Sequence, residues 1–342
     1  MLQIVNKINK IGYNILSKLI GGIKLDTKKL TEAGIFSSIL IVLTLLSAGS
    51  GFMYSIFLDI VVPIIITLIY MKCGFKYTLL SSIVSLVFTS LFLGDTYSSV
   101  FMVQGIIIGI LCGYLLSNDD SIYDNIFYAV IFSSVMIVGI DMFLSNVIGG
   151  SFIKELNKSV SLLNISDKLK EIIFNLSVFS LPFGTVLVTM LGSLFLGNKL
   201  NVLNQNSRKK YIKIIKAQKY GEHSSCSKKI MLTSIIYICI AMWLKIGILQ
   251  FNIVYANILF SIVEYIMVYI LLIDFTKPIS KAVYKITSNN NIVIFVNSVI
   301  IVLLYNSFIL TLLGLLCIKI LIPYAESFVQ RKKLALSEFK QN

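Results

Sequence analysis

The sequence predicts an all-α fold, a polytopic transmembrane bundle of about eight to ten spans with an amphipathic helix at its N-terminus. Three observations lead to this fold class. Hydrophobic residues make up 57% of the 342 residues and charged residues only 13%, with a mean hydropathy of +0.88. Apolar runs near the roughly 20 residues needed to cross a bilayer recur along the chain. Lysine and arginine concentrate between these runs.

The first segment, residues 1–30, alternates apolar and basic residues at helical spacing. Such a pattern is typical of an amphipathic helix that lies on the inner membrane surface. An apolar face packed on the protein's own bundle explains the pattern equally well. Both alternatives stay open.

Residues 31–197 contain six apolar runs, which we interpret as a six-span bundle. A polar outer segment, residues 149–171, precedes the last of them and includes a short amphipathic piece around Leu169 and Ile172. The runs cover about 33–47, 52–71, 77–93, 97–116, 126–147 and 172–196.

The basic loop of residues 198–229 divides the chain and carries nine Lys and Arg residues against a single acid, Glu222. Basic residues accumulate on the cytoplasmic side of bilayers. We therefore predict a multi-pass protein of the bacterial cell membrane with this loop and the N-terminus in the cytoplasm.

The C-terminal membrane bundle is predicted over residues 230–324, with spans at about 230–249 and 253–273 and then an inner loop. The following apolar run, 292–323, is long for one span and short for two. A single crossing would put the basic tail, residues 325–342, outside. A hairpin, or a long tilted helix with a re-entrant end, returns it to the cytoplasm. We favour the hairpin or the tilted helix over the single crossing, because a cytoplasmic tail places 25 of the 30 basic residues inside.

Several functional classes are disfavoured. The net charge of +14 comes from residues that flank apolar spans, which indicates topology and contact with an anionic inner leaflet, not nucleic acid. The five cysteines include no CxxC pair, and the lone His223 lies in the basic loop, so we expect no metal and no cofactor. No P-loop, HExxH motif or nucleophile elbow occurs, and we expect no enzymatic activity.

Small residues at spacing four predict close helix packing. Gly105, Gly109 and Gly113 share one face of the fourth span. Glycine at this spacing allows neighbouring backbones to approach closely, which drives helix association in lipid. Ala33 and Ser37 form a weaker version in the first span.

Residues 27–116 also carry a resemblance. A Thr-Lys-Lys-Leu-Thr-Glu-Ala opening leads into the first span, and Pro63 lies within the second. Gly74-Phe75-Lys76 forms an inner turn, and Gln104-Gly105 begins the glycine face. This stretch resembles the YybS-like family of bacterial membrane proteins, which is similar in its N-terminal part to the S components of energy-coupling-factor transporters.

The resemblance implies a solute-binding subunit that works with a transmembrane coupling subunit and separate ATPases. Ala33 and Ser37 match the Ala-x-x-x-Ala pair with which S components contact the coupling subunit. Near the C-terminus, Gly314-Leu315-Leu316 and a later Gln-Arg-Lys-Lys stretch resemble the family's closing pattern. Cys317 stands where that pattern has an acid.

Polar side chains within the spans are the candidate ligand-binding residues, because such groups are costly in lipid. All are predicted in the outer half of the membrane or near its centre, where they would line an outward-facing cavity. Acids outnumber the single base, which favours a cationic or amine-bearing ligand. The candidates are Asp59, Gln104, Asp141, Lys245 and Glu264.

Two alternatives oppose this site. The side chain of Lys245 can snorkel outward, or it can neutralise Asp141 or Glu264 in a functionally inert ion pair. Gln104 can form a hydrogen bond with a neighbouring helix. The second functional hypothesis is accordingly a non-transporting membrane scaffold or regulator of envelope or lipid processes. An open cavity lined by the candidates would favour transport, whereas internally paired polar groups would favour the scaffold.

Overall fold

A computed structural model describes residues 26–50, 54, 57–94, 96–147, 149–220, 227–246, 254–287 and 289–306, with single positions between 311 and 321. No strand occurs within these ranges, which confirms the all-α fold class. Residues 1–25 of the amphipathic helix predicted over residues 1–30, the basic tail and the hairpin alternative beyond Asn306 lie outside the described residues, whereas residues 27–30 belong to the helix Thr27–Ser50.

Eleven helices are described. A five-residue π-helical turn, Phe57–Val61, precedes the second of them. Their bounds are α1 Thr27–Ser50, α2 Val62–Cys73, α3 Phe75–Leu93, α4 Thr96–Ser117, α5 Ile122–Val147, α6 Phe152–Ser161, α7 Asp167–Lys199, α8 Gln205–Tyr220, α9 Lys228–Ile246, α10 Val254–Thr287 and α11 Asn290–Asn306.

Within the described ranges, six helices are long and apolar enough to cross a membrane, namely α1, α3, α4, α5, α7 and α10. Helix α2 is apolar but has only 12 residues. The chain is therefore an integral, multi-pass membrane protein, as its composition predicts.

Helix α3 shows how the membrane environment orients side chains. Its hydroxyl groups face the protein interior and its large apolar side chains face outward, the reverse of a water-soluble helix. Lipid accepts the apolar face, while the hydroxyls of Ser81, Ser85 and Thr89 form hydrogen bonds inside the protein. The buried residues include Thr78, Ser81, Ser82, Ser85 and Thr89, and the exposed ones include Leu80, Ile83, Val87, Leu91 and Phe92.

The chain divides into two compact units. The first comprises residues 1–119 and 185–211, and the second comprises residues 120–184 and 212–342. These boundaries differ from those drawn on the sequence at 197 and 230. The reason is that α7 is one continuous helix that contributes its first half to the second unit and its second half to the first.

The first unit is organised around α2, which is buried on nearly all sides. Ten of its 12 residues are buried, and Val62, Ile66 and Ile69 are fully enclosed. Neighbouring helices α1, α3 and α4 pack around it. A helix that is apolar all round and enclosed by others forms the core of such a bundle.

In the second unit, α10 holds the central position and packs against α5, α9 and α11. The inner loop predicted after residue 273 is wrong, because α10 continues to Thr287. The lysines of this segment, Lys277, Lys281 and Lys285, recur every four residues. This spacing is typical of one face of a helix and could have predicted that α10 continues. Helix α10 is consequently longer than a bilayer crossing requires.

Two polar segments are also helical. The basic loop contains α8, a helix of 16 residues. The short amphipathic helix of the outer segment is α6, with Ile153 and Val160 buried, and not the stretch around Leu169, which belongs to the start of α7. The difference arises because Ser151 caps α6, its hydroxyl accepting a hydrogen bond from the Lys154 backbone N–H at 3.2 Å.

Candidate functional site

Asp59 lies in the π-helical turn that precedes α2, in the first unit. The cause of this turn is local. Proline at position 63 has no N–H to donate to the carbonyl of Asp59 four residues earlier, and its ring would collide with that carbonyl in a regular α-helix. Widening the helix before Pro63 avoids the collision. Single π-helical turns of this kind are frequent at functional sites.

The glycine face of α4 packs directly against this turn and α2. A Cβ atom at Gly105 would lie 2.9 Å from the carbonyl oxygen of Leu58, and one at Gly109 would lie 2.7 Å from that of Pro63. At Gly113 it would lie 2.5 Å from the Cβ of Tyr70. All three positions therefore require glycine for the helices to approach this closely.

The Leu58–Gly105 contact joins the two candidate residues of the first unit. Asp59 follows Leu58 and Gln104 precedes Gly105, so both lie at the same level of the bundle. Gln104 is buried, with 4% of its surface exposed. The glycine face thus places the candidate amide and the candidate carboxylate at one level of the first unit.

The carboxylate of Asp59 carries a buried oxygen, Oδ1, that has no hydrogen-bond partner. No other carboxylate oxygen in the described part of the chain is in this state. A buried polar atom without a partner costs free energy that only a proton, a cation, water or a ligand can offset.

Asp141, in the second unit, has a different environment. It is 5% exposed, and both of its oxygens accept hydrogen bonds. Oδ2 accepts from the hydroxyl of Ser151 at 2.8 Å and that of Tyr255 at 3.2 Å. Oδ1 accepts from the backbone N–H of Ile153 at 3.3 Å. Asp141 therefore ties α5 to the start of α6 and to α10.

The two remaining candidates also belong to the second unit. Glu264 lies in α10 and is partly buried. Lys245 lies in the last turn of α9, and its side chain is outside the described part of the structure. The structure thus brings Asp59 and Gln104 together in one unit and assigns Asp141, Glu264 and Lys245 to the other.

The small-residue pair of α1 serves an internal contact. Ala33 and Ser37 are both buried against α3. The hydroxyl of Ser37 donates to the carbonyl of Ser81 at 3.1 Å and lies 2.7 Å from the hydroxyl of Ser85. Within the chain this pair therefore contributes to the packing of α1 on α3, and its expected contact with a coupling subunit stays a prediction.

Two concave regions are described, one in each unit. A groove of about 450 Å³ lies between α1 and α3, and a cavity of about 40 Å³ lies among aromatic and apolar residues of the second unit. None of the five candidate residues lines either region. Among the side chains that are described, no group of three His, Cys, Asp or Glu residues could hold a metal ion.

Lys210 is a structurally important residue that the sequence interpretation missed. It is 5% exposed, and its ammonium donates to the carbonyls of Leu115, Leu116 and Asn118 at 2.8, 3.2 and 2.6 Å. It thereby caps the C-terminus of α4, where carbonyls lack helical partners. Nothing in the sequence distinguishes it from Lys209, which is 65% exposed.

Ser151 and Tyr255 were also missed. A signal for Ser151 existed, since a serine after Gly149-Gly150 and before a mixed apolar and polar run is a typical helix N-cap. Tyr255 is 114 residues from Asp141, and no local pattern could have paired them.

No family model, curated protein or solved structure matches this chain. The resemblance of residues 27–116 to the YybS-like family and to S components therefore stays an expectation that rests on the residues quoted above.

Proposed function

We propose that this protein is a small-molecule-binding or transport subunit of the bacterial cell membrane, similar to an energy-coupling-factor S component, with Asp59 as its principal ligand contact. The observation that carries the proposal is the buried, unpartnered Oδ1 of Asp59 in the first unit. Intramembrane carboxylates of this kind mark solute or proton pathways.

The chemistry of Asp59 specifies the class of ligand. An ionised carboxylate in an apolar bundle requires a compensating positive charge or a proton. A cationic or amine-bearing solute supplies that charge, and Gln104, buried at the same level of the first unit, offers an amide donor and an acceptor to orient it. Asp141 does not share this role, because three donors of the protein already satisfy it.

Transport by such a subunit depends on partners. The sequence contains no P-loop, so ATP hydrolysis requires a separate ATPase, coupled through another membrane subunit. In this proposal the N-terminus and residues 198–229 face the cytoplasm, where the ATPases act.

The test is to purify the full chain in detergent and identify co-purified small molecules by mass spectrometry. Asp59→Asn is compared with Asp167→Asn, since the side chain of Asp167 is fully exposed. We expect an amine-bearing or cationic compound in the wild type and in Asp167→Asn, and its loss from Asp59→Asn at unchanged thermal stability. Equal retention by both variants would overturn the role of Asp59.

The second candidate function is a non-transporting scaffold or regulator of envelope or lipid processes. It is favoured by the internal pairing of other buried charges. Asp141 and Lys210 are satisfied by the protein itself, and Asp124 accepts a 3.0 Å hydrogen bond from the backbone N–H of Ser227. If no small molecule co-purifies and Asp59→Asn raises the melting temperature, the carboxylate destabilises the fold without binding a ligand. The scaffold function then explains the protein better than transport does.

A further inference from the structure

The groove between α1 and α3 is a second feature that calls for an occupant. The two helices run parallel, as shown by contacts of Asp26 with Tyr77, Ala33 with Ser81, and Ser37 with Ser85. The groove has a volume of about 450 Å³, within the range of ligand sites. Its walls are mainly apolar and include Leu30, Gly34, Val42, Tyr77, Val84 and Phe88.

One end of the groove carries positive charge. Lys28 and Lys29 directly precede Leu30, and Lys76 directly precedes Tyr77, where Leu30 and Tyr77 are the first groove residues of their helices. All three lysines are exposed. A 2.6 Å hydrogen bond between the Asp26 backbone N–H and the Tyr77 hydroxyl holds the two helix starts together. We call these three lysines the lysine collar.

The nearby acids do not cancel the collar. Glu32 pairs with a fourth lysine, Lys72, at 3.5 Å. The side chain of Asp26 accepts a 3.0 Å hydrogen bond from the backbone N–H of Lys28 and so caps α1, and this one acid leaves the three lysines in excess. Both parallel helices also direct the positive ends of their dipoles to this end of the groove.

We infer that the groove binds an anionic phospholipid, with an acyl chain along the apolar walls and the headgroup phosphate at the lysine collar. An apolar groove open to the bilayer takes up hydrocarbon, not water. A zwitterionic lipid would fill the walls equally well but would gain little from three exposed lysines. Charge complementarity therefore selects an anionic headgroup.

The position of the collar is consistent with the inner leaflet. Lys28 and Lys29 lie at the start of the first span and Lys76 at the start of α3, the ends that the distribution of basic residues assigns to the cytoplasm. This inference is independent of Asp59 and of any transported solute, since Asp59 does not line the groove.

The experiment uses the full chain in mixed micelles that contain equal amounts of phosphatidylglycerol and phosphatidylcholine with identical acyl chains. Native mass spectrometry counts the lipids bound to each variant. The collar variant combines Lys28→Gln, Lys29→Gln and Lys76→Gln. Its charge-matched control combines Lys158→Gln, Lys199→Gln and Lys213→Gln, which are exposed and outside the groove.

A second pair of variants tests the walls. Gly34→Leu projects a side chain into the groove without an internal collision, because nothing lies within 4 Å of a Cβ atom at that position. Gly139→Leu is the matched control, since Gly139 is equally open but lies on α5. Thermal unfolding verifies that each variant folds.

We expect the wild type and both controls to retain phosphatidylglycerol over phosphatidylcholine by at least about tenfold. The collar variant should lose that preference, and Gly34→Leu should lose bound lipid of both kinds. Equal retention of the two lipids by the wild type, or unchanged binding in either variant, would overturn the inference. A dimer that Gly34→Leu dissociates would also overturn it, because a second copy would then occupy the groove.

Discussion

The hydroxyl of Ser151 donates a 2.8 Å hydrogen bond to Oδ2 of Asp141, ten residues earlier in the chain. The same serine accepts from the backbone N–H of Lys154 and so begins α6. One residue therefore joins a buried carboxylate to the start of the amphipathic helix.

The first prediction follows from this bond. Asp141→Asn should lower the free energy of unfolding by about 2 kcal/mol, because it replaces a carboxylate oxygen that accepts hydrogen bonds by an amide NH₂ group, which cannot accept them. Thermal unfolding in detergent measures the effect. Asp167→Asn, at a fully exposed side chain, should leave the melting temperature unchanged. Equal effects of the two substitutions would contradict the role assigned to Asp141.

A second prediction concerns the glycine face. Gly109→Leu should destabilise the bundle by about 1–3 kcal/mol or more, since even a Cβ atom would meet the Pro63 carbonyl oxygen and the Ile66 side chain within 3 Å. Gly139→Leu, where nothing lies within 4 Å of a Cβ atom, should fold with wild-type stability. The measurement is the melting temperature of each variant. A wild-type melting temperature for Gly109→Leu would mean that α2 and α4 do not pack as described.

The third prediction concerns the buried lysine of α8. Lys210→Met should lower stability by about 2 kcal/mol, because it keeps the aliphatic stem but removes the ammonium that caps the carbonyls ending α4. Lys213→Met, three residues later and exposed, should leave the stability unchanged. Chemical or thermal unfolding of both variants provides the comparison. An unchanged free energy of unfolding in Lys210→Met would show that water satisfies these carbonyls equally well.

A fourth prediction tests the contact between α1 and α3. Ser37→Ala and Ser85→Ala should each destabilise the protein, and the double variant should lose less than the sum. The coupling energy of such interhelical bonds in membranes averages about 0.6 kcal/mol and reaches about 1.7. A double-mutant cycle on melting free energies measures it. Strict additivity would imply that the 2.7 Å hydroxyl contact contributes nothing.

The last prediction concerns sidedness. In a cysteine-free background in intact cells, an impermeant thiol reagent should label Leu162→Cys and should reach Lys213→Cys only after permeabilisation. Leu162 is 79% exposed and is a better reporter than Val160, which is 7% exposed. The reverse labelling pattern would invert the proposed orientation and move the lysine collar to the outer leaflet.

Much of the architecture follows from composition and periodicity alone. Apolar runs of membrane length dictate helices, because lipid leaves backbone groups no partners except those of the helix itself. The glycine spacing in α4 likewise identified the helix face that packs against α2, and Pro63 accounts for the π-helical turn at Asp59. Each of these consequences depends on residues within a few turns of one another.

The roles of individual polar residues were decided only by the tertiary structure. In the sequence Asp59 and Asp141 look alike, each a carboxylate within an apolar span. The fold gives Asp141 donors from Ser151 and from Tyr255, 114 residues away, and leaves an oxygen of Asp59 without one. It likewise buries Ala33 and Ser37 against α3. Hydrogen-bond partners of buried groups come from distant segments, and local sequence patterns do not encode which segments will meet.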